Sequence, residues 1–290
     1  MRTIQSYLKS KYSEASAKRY LRAIETYLEH ETEEKAHHAR YHDIWNYIGT
    51  LRNRNYSTGY ITTELAGLKA YYRYLIEVGI RTDNPTRNIY LNDAKRKTRQ
   101  VQHQELFTPA ELELLLNKEN RYQLLKNKTK LAISFYIYQG ITTGEMENLT
   151  IHDVDVEEGT IIIRATKRLN SRILQLKNNQ RIFLEDYLNN DRPKLMKSKT
   201  DRLFITKLGN IEKGGSFHYL LECQRGLFPE RTLNPKTVRQ SVITNWFRQG
   251  LGIKEVQIMA GHRFPSTTEG YRPADLGQLT DAIGRFHPLG

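Results

Sequence analysis

Four side chains that could act together on a phosphate lie within residues 234–273 of this sequence. Lys236 and Arg239 are three residues apart, which places both cations on one face of a predicted helix. His262 follows in an Ala-Gly-His segment, and Tyr271 follows Ser-Thr-Thr-Glu-Gly. Cations stabilise charge on phosphate oxygens, an imidazole can donate a hydrogen bond, and a phenol can attack phosphorus to form a covalent bond. The spacing therefore indicates a site for phosphoryl transfer.

A fifth group comes from a predicted β-hairpin. The runs Thr160–Ala165 and Ser171–Leu176 are typical of strands, and Lys167 lies in the turn between them. A lysine at this place could protonate a leaving oxygen. Taken singly, each of the five groups has an ordinary structural explanation, such as a solvated turn or a helix salt bridge. Their combination in this order favours one reactive site.

The composition of the chain favours a nucleic-acid partner. Its 290 residues carry a net charge of +13, an excess that attracts polyanions. No apolar run is long enough to cross a bilayer, and the N-terminus lacks the pattern of a secretory signal. The single cysteine, Cys223, is expected to be a buried, inert thiol in a reducing compartment. No metal-ligand cluster is visible, so neither a metal nor another cofactor is expected.

The hydrophobic pattern predicts two domains. Residues 1–94 read as a helical domain. Residues 4–30 are predicted to be helical, with Ser16 able to cap a helix N-terminus, and a long helix is predicted to begin at Ser57. The basic stretch 95–106 has no hydrophobic period and is expected to be a linker. Residues 107–290 read as a mainly helical domain with a small antiparallel sheet.

Local signals in the second domain are strong. Thr108-Pro109-Ala110-Glu111 predicts a helix start with a capping box, and the apolar run Leu131–Tyr138 predicts a buried helix that ends at Gly140. Residues 178–188 are predicted to be helical, and 191–200 are predicted to form a loop. Asn234-Pro235 predicts the start of the helix that carries Lys236 and Arg239.

The order of these features resembles the tyrosine recombinases, also called phage-integrase-type recombinases. The long helix followed by Asn84-Pro85 matches the family's core-binding domain, and Lys167 in ATKRLNSRILQL matches its hairpin lysine. Arg239 matches the second family arginine, and Lys236 stands where His is usual in His-x-x-Arg. His262 in MAGHRFPSTTEGY matches the Leu-Gly-His histidine, and Tyr271 matches the nucleophile. The resemblance implies a mainly α fold, with an N-terminal helical SAM-like domain and a mixed α/β catalytic domain that contains a small antiparallel sheet.

One part of the family pattern is missing. In Gly140-Ile141-Thr142-Thr143-Gly144-Glu145, Thr142 falls at the place of the first catalytic arginine, while Glu145 still matches the supporting acidic residue. A neutral hydroxyl therefore stands where a guanidinium is expected. Four other cations are candidates to replace it, and the sequence does not choose among them: Lys130, Arg164, Arg172 and Arg263.

The resemblance implies a site-specific DNA recombinase that cuts and rejoins strands through a 3′-phosphotyrosyl intermediate. The missing arginine leaves two further interpretations open. One is a slowed enzyme that requires an accessory protein. The other is a catalytically impaired protein that binds DNA as an architectural factor. Retention of Lys167, Arg239, His262 and Tyr271 favours activity.

The expected partners follow from the same resemblance. They are double-stranded DNA and, on synapsed DNA, a homotetramer of a protein that is monomeric when free. The expected location is cytoplasmic and nucleoid-associated, with no membrane contact. A last helix over Leu276–Phe286 would dock on a neighbouring protomer or pack on its own domain. Six basic residues are predicted to contact DNA: Lys95, Arg96, Lys97, Arg99, Arg172 and Arg263.

Overall fold

The computed structural model describes residues 3–91, 106–118 and 122–273. The chain divides into two compact units, Met1–Lys97 and Thr98–Gly290, so the division falls within the predicted linker. The predictions for the linker cations and for the C-terminal helix lie outside the described residues. These are the predictions for Lys95, Arg96, Lys97, Arg99 and Leu276–Phe286.

The first unit is helical throughout its described part. Its helices are Ile4–Lys11 (α1), Glu14–His30 (α2), Glu33–His38 (α3), Tyr41–Asn53 (α4) and Thr58–Glu77 (α5). Helices α2 and α5 pack closely, because a methyl group on Gly67 would lie 2.6 Å from the Cβ of Ala23. The buried hydroxyls of Tyr27 and Tyr72 bond each other at 3.0 Å, and Tyr72 also donates to the Ala36 carbonyl. The phenols of this core are therefore packing residues.

The predicted helix over 4–30 is two helices. Tyr12 and Ser13 are extended, and the Ser13 hydroxyl accepts the N–H of Ser16, so Ser13 and not Ser16 caps α2. The prediction for the long helix is confirmed. Ser57 caps α5, and Gly79 follows its end with a φ of +78°, a conformation that favours glycine.

The second unit combines helices with a three-stranded antiparallel sheet. Its helices, in the described residues, are Pro109–Asn117 (α6), Lys126–Gln139 (α7), Thr143–Asn148 (α8), Asn178–Asp186 (α9), Arg192–Leu195 (α10), Gly214–Glu222 (α11), Pro235–Arg248 (α12), Ile253–Ala260 (α13) and Pro265–Glu269 (α14). Its strands are Val154–Asp155 (β1), Thr160–Ile163 (β2) and Arg172–Gln175 (β3), in the order β1-β2-β3. The mainly α fold class with a small antiparallel sheet is confirmed.

Helix α7 lies at the centre of this unit's core, as its apolar run predicts. Phe135 and Tyr136 are fully buried in it, and Gly140 ends the helix in the left-handed region, with a φ of +57°. The capping box at Thr108 and Glu111 is also present. These local signals are confirmed because each depends on neighbours within four residues.

The register of the hairpin decides which side chains enter the core. Ile161 pairs with Leu174, and Ile163 pairs with Arg172, so all four face inward. Ile173, in contrast, is 65% exposed. The inward face of β3 therefore carries a buried guanidinium at its start.

Two sequence predictions for this unit are wrong, and three of its elements have no counterpart in the sequence analysis. The stretch 191–200 is not all loop, because α10 forms there and the buried Arg192 donates to the carbonyls of Thr200 and Arg202. Strand β1 and helices α11 and α14 were not predicted. Cys223 is exposed and not buried, since it lies at the C-terminal end of α11.

In the parts of the chain that the structure describes, no helix is long and apolar enough to cross a membrane. Within the same residues, no group of three or more His, Cys, Asp or Glu side chains could hold a metal ion.

Candidate active site

Arg239 lies at the centre of the candidate site, on helix α12. Asn234 caps this helix by accepting the N–H groups of Lys236 and Thr237, which fixes its first turn. One turn later, the guanidinium of Arg239 donates to the carbonyls of Gly140 and Ala260. Burial lowers the pKa of Arg239 to about 10, so the group is still charged at neutral pH. The cation is thus held between the ends of α7 and α13 before any substrate binds.

Thr142 and Glu145 form a capping box at the start of α8. The Thr142 hydroxyl accepts the Glu145 N–H at 3.3 Å, and the Thr142 N–H and hydroxyl donate to Oε2 of Glu145 at 2.9 and 2.8 Å. The side chain of Thr142 is therefore half-buried and engaged with the carboxylate. Its hydroxyl acts here as a helix cap.

Glu145 joins two guanidinium groups. Arg172 donates to Oε1 through Nη1 at 2.6 Å and to Oε2 through Nη2 at 3.3 Å, while Nη1 of Arg239 lies 4.0 Å from Oε2. Burial alone would raise the pKa of Glu145. The hydrogen bonds and charge of Arg172, with smaller effects from Thr142 and Arg239, outweigh burial and lower that pKa. Glu145 is therefore a carboxylate at neutral pH.

The placement of Arg172 differs from its predicted role in DNA contact. Its side chain is 0% exposed and pairs with Glu145, whose side chain is 1% exposed. Strand β3 directs it inward because Arg172 pairs with Ile163 on the core face of the hairpin. A side chain in this position cannot lie on a DNA backbone, so the prediction of direct DNA contact is wrong for this structure.

His262 and Tyr271 form a stacked pair. Their ring centroids are 5.5 Å apart, and the ring planes are inclined by 19°. Nδ1 of His262 lies 3.0 Å from the hydroxyl of the buried Thr268. Burial, followed by the positive charges of Arg239 and Arg172, lowers the pKa of His262 to about 4. The imidazole is therefore neutral at pH 7 and can hold or donate one proton.

The backbone of Tyr271 is held from two sides. Its N–H donates to the Thr268 carbonyl at 3.0 Å, and its carbonyl accepts the Thr244 hydroxyl at 3.2 Å. The Tyr271 ring is partly buried against the core. Thr268 and Thr244 were not identified in the sequence, although Thr268 precedes Tyr271 by only three residues.

The hairpin turn is attached to the Ala-Gly-His segment. The Asn170 N–H donates to the Gly261 carbonyl at 2.8 Å, and Leu169 forms an isolated β-bridge with His262. The exposed Arg263 donates to the Thr166 carbonyl at 2.9 Å. Lys167 lies exposed in this turn, so the fold brings its backbone to the histidine side of the site.

The remaining candidate cations lie in different surroundings. Arg164 pairs with Asp153 at 2.7 Å, and the ammonium of Lys130 lies 5.5 Å from the Phe183 ring centroid. Lys236 is exposed in the first turn of α12 and makes no side-chain hydrogen bond or ion pair with any described residue. Of the four cations that the sequence offers as replacements for an arginine at residue 142, Arg172 is the one that contacts Glu145.

Comparisons with known proteins identify the family of this chain. Residues 105–276 match the Phage integrase family, and residues 4–79 match the Phage integrase N-terminal SAM-like domain. The tyrosine recombinase XerD of Halalkalibacterium halodurans is 25% identical over 248 residues, which cover 84% of this chain and 81% of the relative.

Two solved structures share the fold. The XerH site-specific recombinase bound to its difH substrate superposes with a TM-score of 0.70 at 18% identity, over 92% of this chain and 78% of XerH. The Tn1549 transposon integrase in complex with transposon right end DNA has a TM-score of 0.64 at 18% identity, over 98% of this chain and 99% of the integrase.

The fold and the site together define a recombinase-type catalytic domain that follows a SAM-like helical domain. The chain belongs to the phage integrase family.

Proposed function

We propose that this protein is a site-specific DNA recombinase that cuts and rejoins strands through a 3′-phosphotyrosyl intermediate on Tyr271. The observation that carries the proposal is the stack of Tyr271 on His262 within the electrostatic reach of the buried Arg239. A phenol, a neutral imidazole and a fixed guanidinium in one cluster fit attack on a phosphodiester. The family membership of the chain supports the same reaction.

The proposed reaction exchanges one phosphodiester for another. The Tyr271 hydroxyl gives its proton to water, and its oxygen bonds to phosphorus as the bond to the 5′-oxygen breaks. The leaving 5′-oxygen takes a proton from Lys167, which the exposed hairpin turn can bring to it. A 5′-hydroxyl of a second strand then attacks phosphorus and releases Tyr271. No external energy source is required, because one phosphate ester bond forms for each that breaks.

Arg239 and His262 would stabilise the charge that develops on the phosphate. Each terminal nitrogen of a guanidinium carries two N–H groups, and the bonds to the Gly140 and Ala260 carbonyls use one on each. The second N–H of each nitrogen is left for a phosphate oxygen. If the Thr268 hydroxyl donates to Nδ1 of His262, the imidazole carries its proton on Nε2 and donates it to the same phosphate.

Thr142 stands, in this proposal, at the place of the first catalytic arginine. Its position between Gly140 and Glu145 supports this assignment, as does its bonding to Glu145. Lys236, exposed on α12, would supply charge near the phosphate. Glu145 supports the cluster by pairing with its guanidinium groups.

The proposed partner is double-stranded DNA, contacted by both units and by the basic stretch 95–106. On two synapsed duplexes we expect four protomers, each of which cuts one strand, from a protein that is monomeric when free. A nucleoid-associated location in the cytoplasm and an accessory protein are further parts of the proposal. Salt-dependent binding would accompany these phosphate contacts.

Trapping of a covalent adduct tests the reaction. Bound fragments are selected from a random-sequence DNA library, and the enriched sequence is rebuilt as a suicide duplex with a nick beside the cleavage position. We expect the wild-type protein to form a protein–DNA adduct and Tyr271→Phe to form none. Tyr219→Phe is the matched control, since Tyr219 is 64% exposed on α11 and should leave the yield unchanged.

An adduct that persists in Tyr271→Phe would contradict the assignment of the nucleophile. Sequence-specific DNA bending without any adduct, equal in the wild type and Tyr271→Phe, would instead support an architectural role. The comparisons do not favour that alternative, because the matched relative is itself described as a recombinase.

A further inference from the structure

We infer that Arg172 is a positioning residue that neutralises Glu145 and so leaves Arg239 free to hold the phosphate. This inference rests on the proposed function and on Thr142 occupying the place of the first catalytic arginine. It concerns a residue that does not touch DNA itself, because its side chain is fully buried.

The Glu145 carboxylate requires a cationic partner. It is almost fully buried, and a buried carboxylate without a counter-charge is strongly destabilising. Two guanidinium groups lie within reach. Arg172 makes a bidentate pair at 2.6 and 3.3 Å, while Arg239 lies 4.0 Å away and donates to two backbone carbonyls instead. Arg172 is thus the partner of the carboxylate, and Arg239 is the neighbour that remains available.

Removal of Arg172 would change the role of Arg239. Glu145 would then be an uncompensated anion 4.0 Å from Nη1 of Arg239. Arg239 would then move to form a direct ion pair with Glu145, which would draw its guanidinium away from the phosphate position. The carboxylate would also repel the phosphate through a low-dielectric interior. Cleavage should therefore fall far more than DNA binding.

The backbone around the guanidinium is shaped to accommodate it. A methyl group on Gly261 would lie 2.6 Å from Nη1 of Arg172, and Gly261 has a φ of +69°. The neighbouring Asn170 N–H bonds the Gly261 carbonyl, which places β3 beside the segment that carries His262. Arg172 therefore pairs with α8 while its guanidinium lies beside Gly261 of the histidine segment.

Thr142 and Arg172 meet on the same carboxylate. Oε2 of Glu145 accepts the Thr142 hydroxyl at 2.8 Å and Nη2 of Arg172 at 3.3 Å. A guanidinium introduced at residue 142 would start next to the oxygen that Arg172 now neutralises. Thr142→Arg should therefore compensate for the loss of Arg172, which two independent sites would not do.

The experiment compares five proteins on the suicide duplex: the wild type, Arg172→Met, Arg172→Lys, Thr142→Arg, and the double variant with Thr142→Arg and Arg172→Met. We expect Arg172→Met to lower the rate of adduct formation about 100-fold or more, with the Kd for the same duplex within about twofold. Arg172→Lys should retain part of the rate. The double variant should recover at least about tenfold over Arg172→Met.

A second readout does not depend on cleavage. NMR titration of the His262 imidazole reports the local charge, because Arg172 helps to lower the pKa of His262. That pKa should rise in Arg172→Met and fall again in the double variant. A residue that only maintained the fold would lower Tm in every variant without this pattern.

The inference is overturned if Arg172→Met cleaves within about threefold of the wild type. It is also overturned if Arg172→Lys cleaves no faster than Arg172→Met and the double variant shows no recovery of rate. Should Arg172→Met fail to fold by circular dichroism, Arg172→Lys decides, because it keeps the charge and loses the bidentate geometry: a rate within about threefold of the wild type would contradict the inference. If the wild type itself forms no adduct, the proposed function fails, while the His262 titration still tests the placement of Arg172.

Discussion

The site contains two kinds of cation, buried and exposed. Arg172 and Arg239 are 5% and 7% exposed, and each donates two hydrogen bonds to named acceptors. Lys167 and Lys236 are exposed, and neither makes a side-chain hydrogen bond or ion pair with the described residues. The buried pair is fixed by the fold before substrate binds, whereas in our proposal the exposed pair takes its position when DNA binds.

This difference predicts that substitutions of the buried arginines and of the exposed lysines will lower the cleavage rate for different reasons. A donor fixed in a site that excludes water stabilises the transition state without reorganisation, whereas an exposed ion pair contributes little. The arginines should therefore act on the rate of chemistry and be sensitive to their geometry. The lysines should act through contacts that form only with DNA.

The largest effect is expected for Arg239→Lys. A lysine keeps the charge but cannot bond two carbonyls and a phosphate together, since it lacks the planar fork. We expect the rate of adduct formation to fall about 1,000-fold, with little change in Kd. The matched control is Arg248→Lys, an exposed arginine on the same helix, which should cleave at the wild-type rate. Equal losses in both variants would remove the distinction between buried and exposed cations.

The pH dependence of stability tests whether the imidazole of His262 is buried and neutral in the folded protein. The pKa of His262 is about 4 in the folded state, below its ordinary value of 6.5, so the unfolded chain binds a proton first as the pH falls. The free energy of unfolding should decrease from pH 6.5 to 4, by about 3 kcal/mol from this group alone. Urea titrations at several pH values should show a shallower decrease for His262→Gln. Parallel pH profiles for the two proteins would contradict the buried, neutral state of this imidazole.

Lys167→Ala should have a smaller effect, which depends on the leaving group. We expect about a 100-fold loss of cleavage if the lysine protonates the 5′-oxygen. A duplex with sulfur in place of that oxygen has a leaving group that needs no proton, so it should restore most of the rate. Arg168→Ala, a neighbouring exposed cation in the same turn, is the control. A loss of the same size on both duplexes would assign Lys167 to DNA contact instead.

Local signals in the sequence predicted where several helices of both units begin or end. The caps at Ser57, Thr108 and Asn234, and the stop at Gly140, depend on contacts within a few residues and are all present. The cap of α2 was assigned to Ser16 because Ser13 and Ser16, three residues apart, offer the same capping chemistry, and only Ser13 caps the helix.

Local sequence signals did not predict which side chains of β3 are buried or which residues they pair with. The alternation in β3 puts Arg172 inside and Ile173 outside, against the ordinary preference of both side chains. The register with β2 and the buried carboxylate of Glu145 decide this orientation, and Glu145 lies 27 residues from Arg172 in sequence. The prediction for Arg172 was wrong because burial of an arginine depends on a partner that sequence spacing does not reveal.

The sequence by itself determined the order and identity of the candidate reactive groups, because covalent structure alone supplies the amine, guanidinium, imidazole and phenol of Lys167, Arg239, His262 and Tyr271. Only the tertiary structure decided which cations are buried and what Glu145 pairs with. A carboxylate in a dry interior takes the guanidinium that packing brings to it, and here that guanidinium is Arg172.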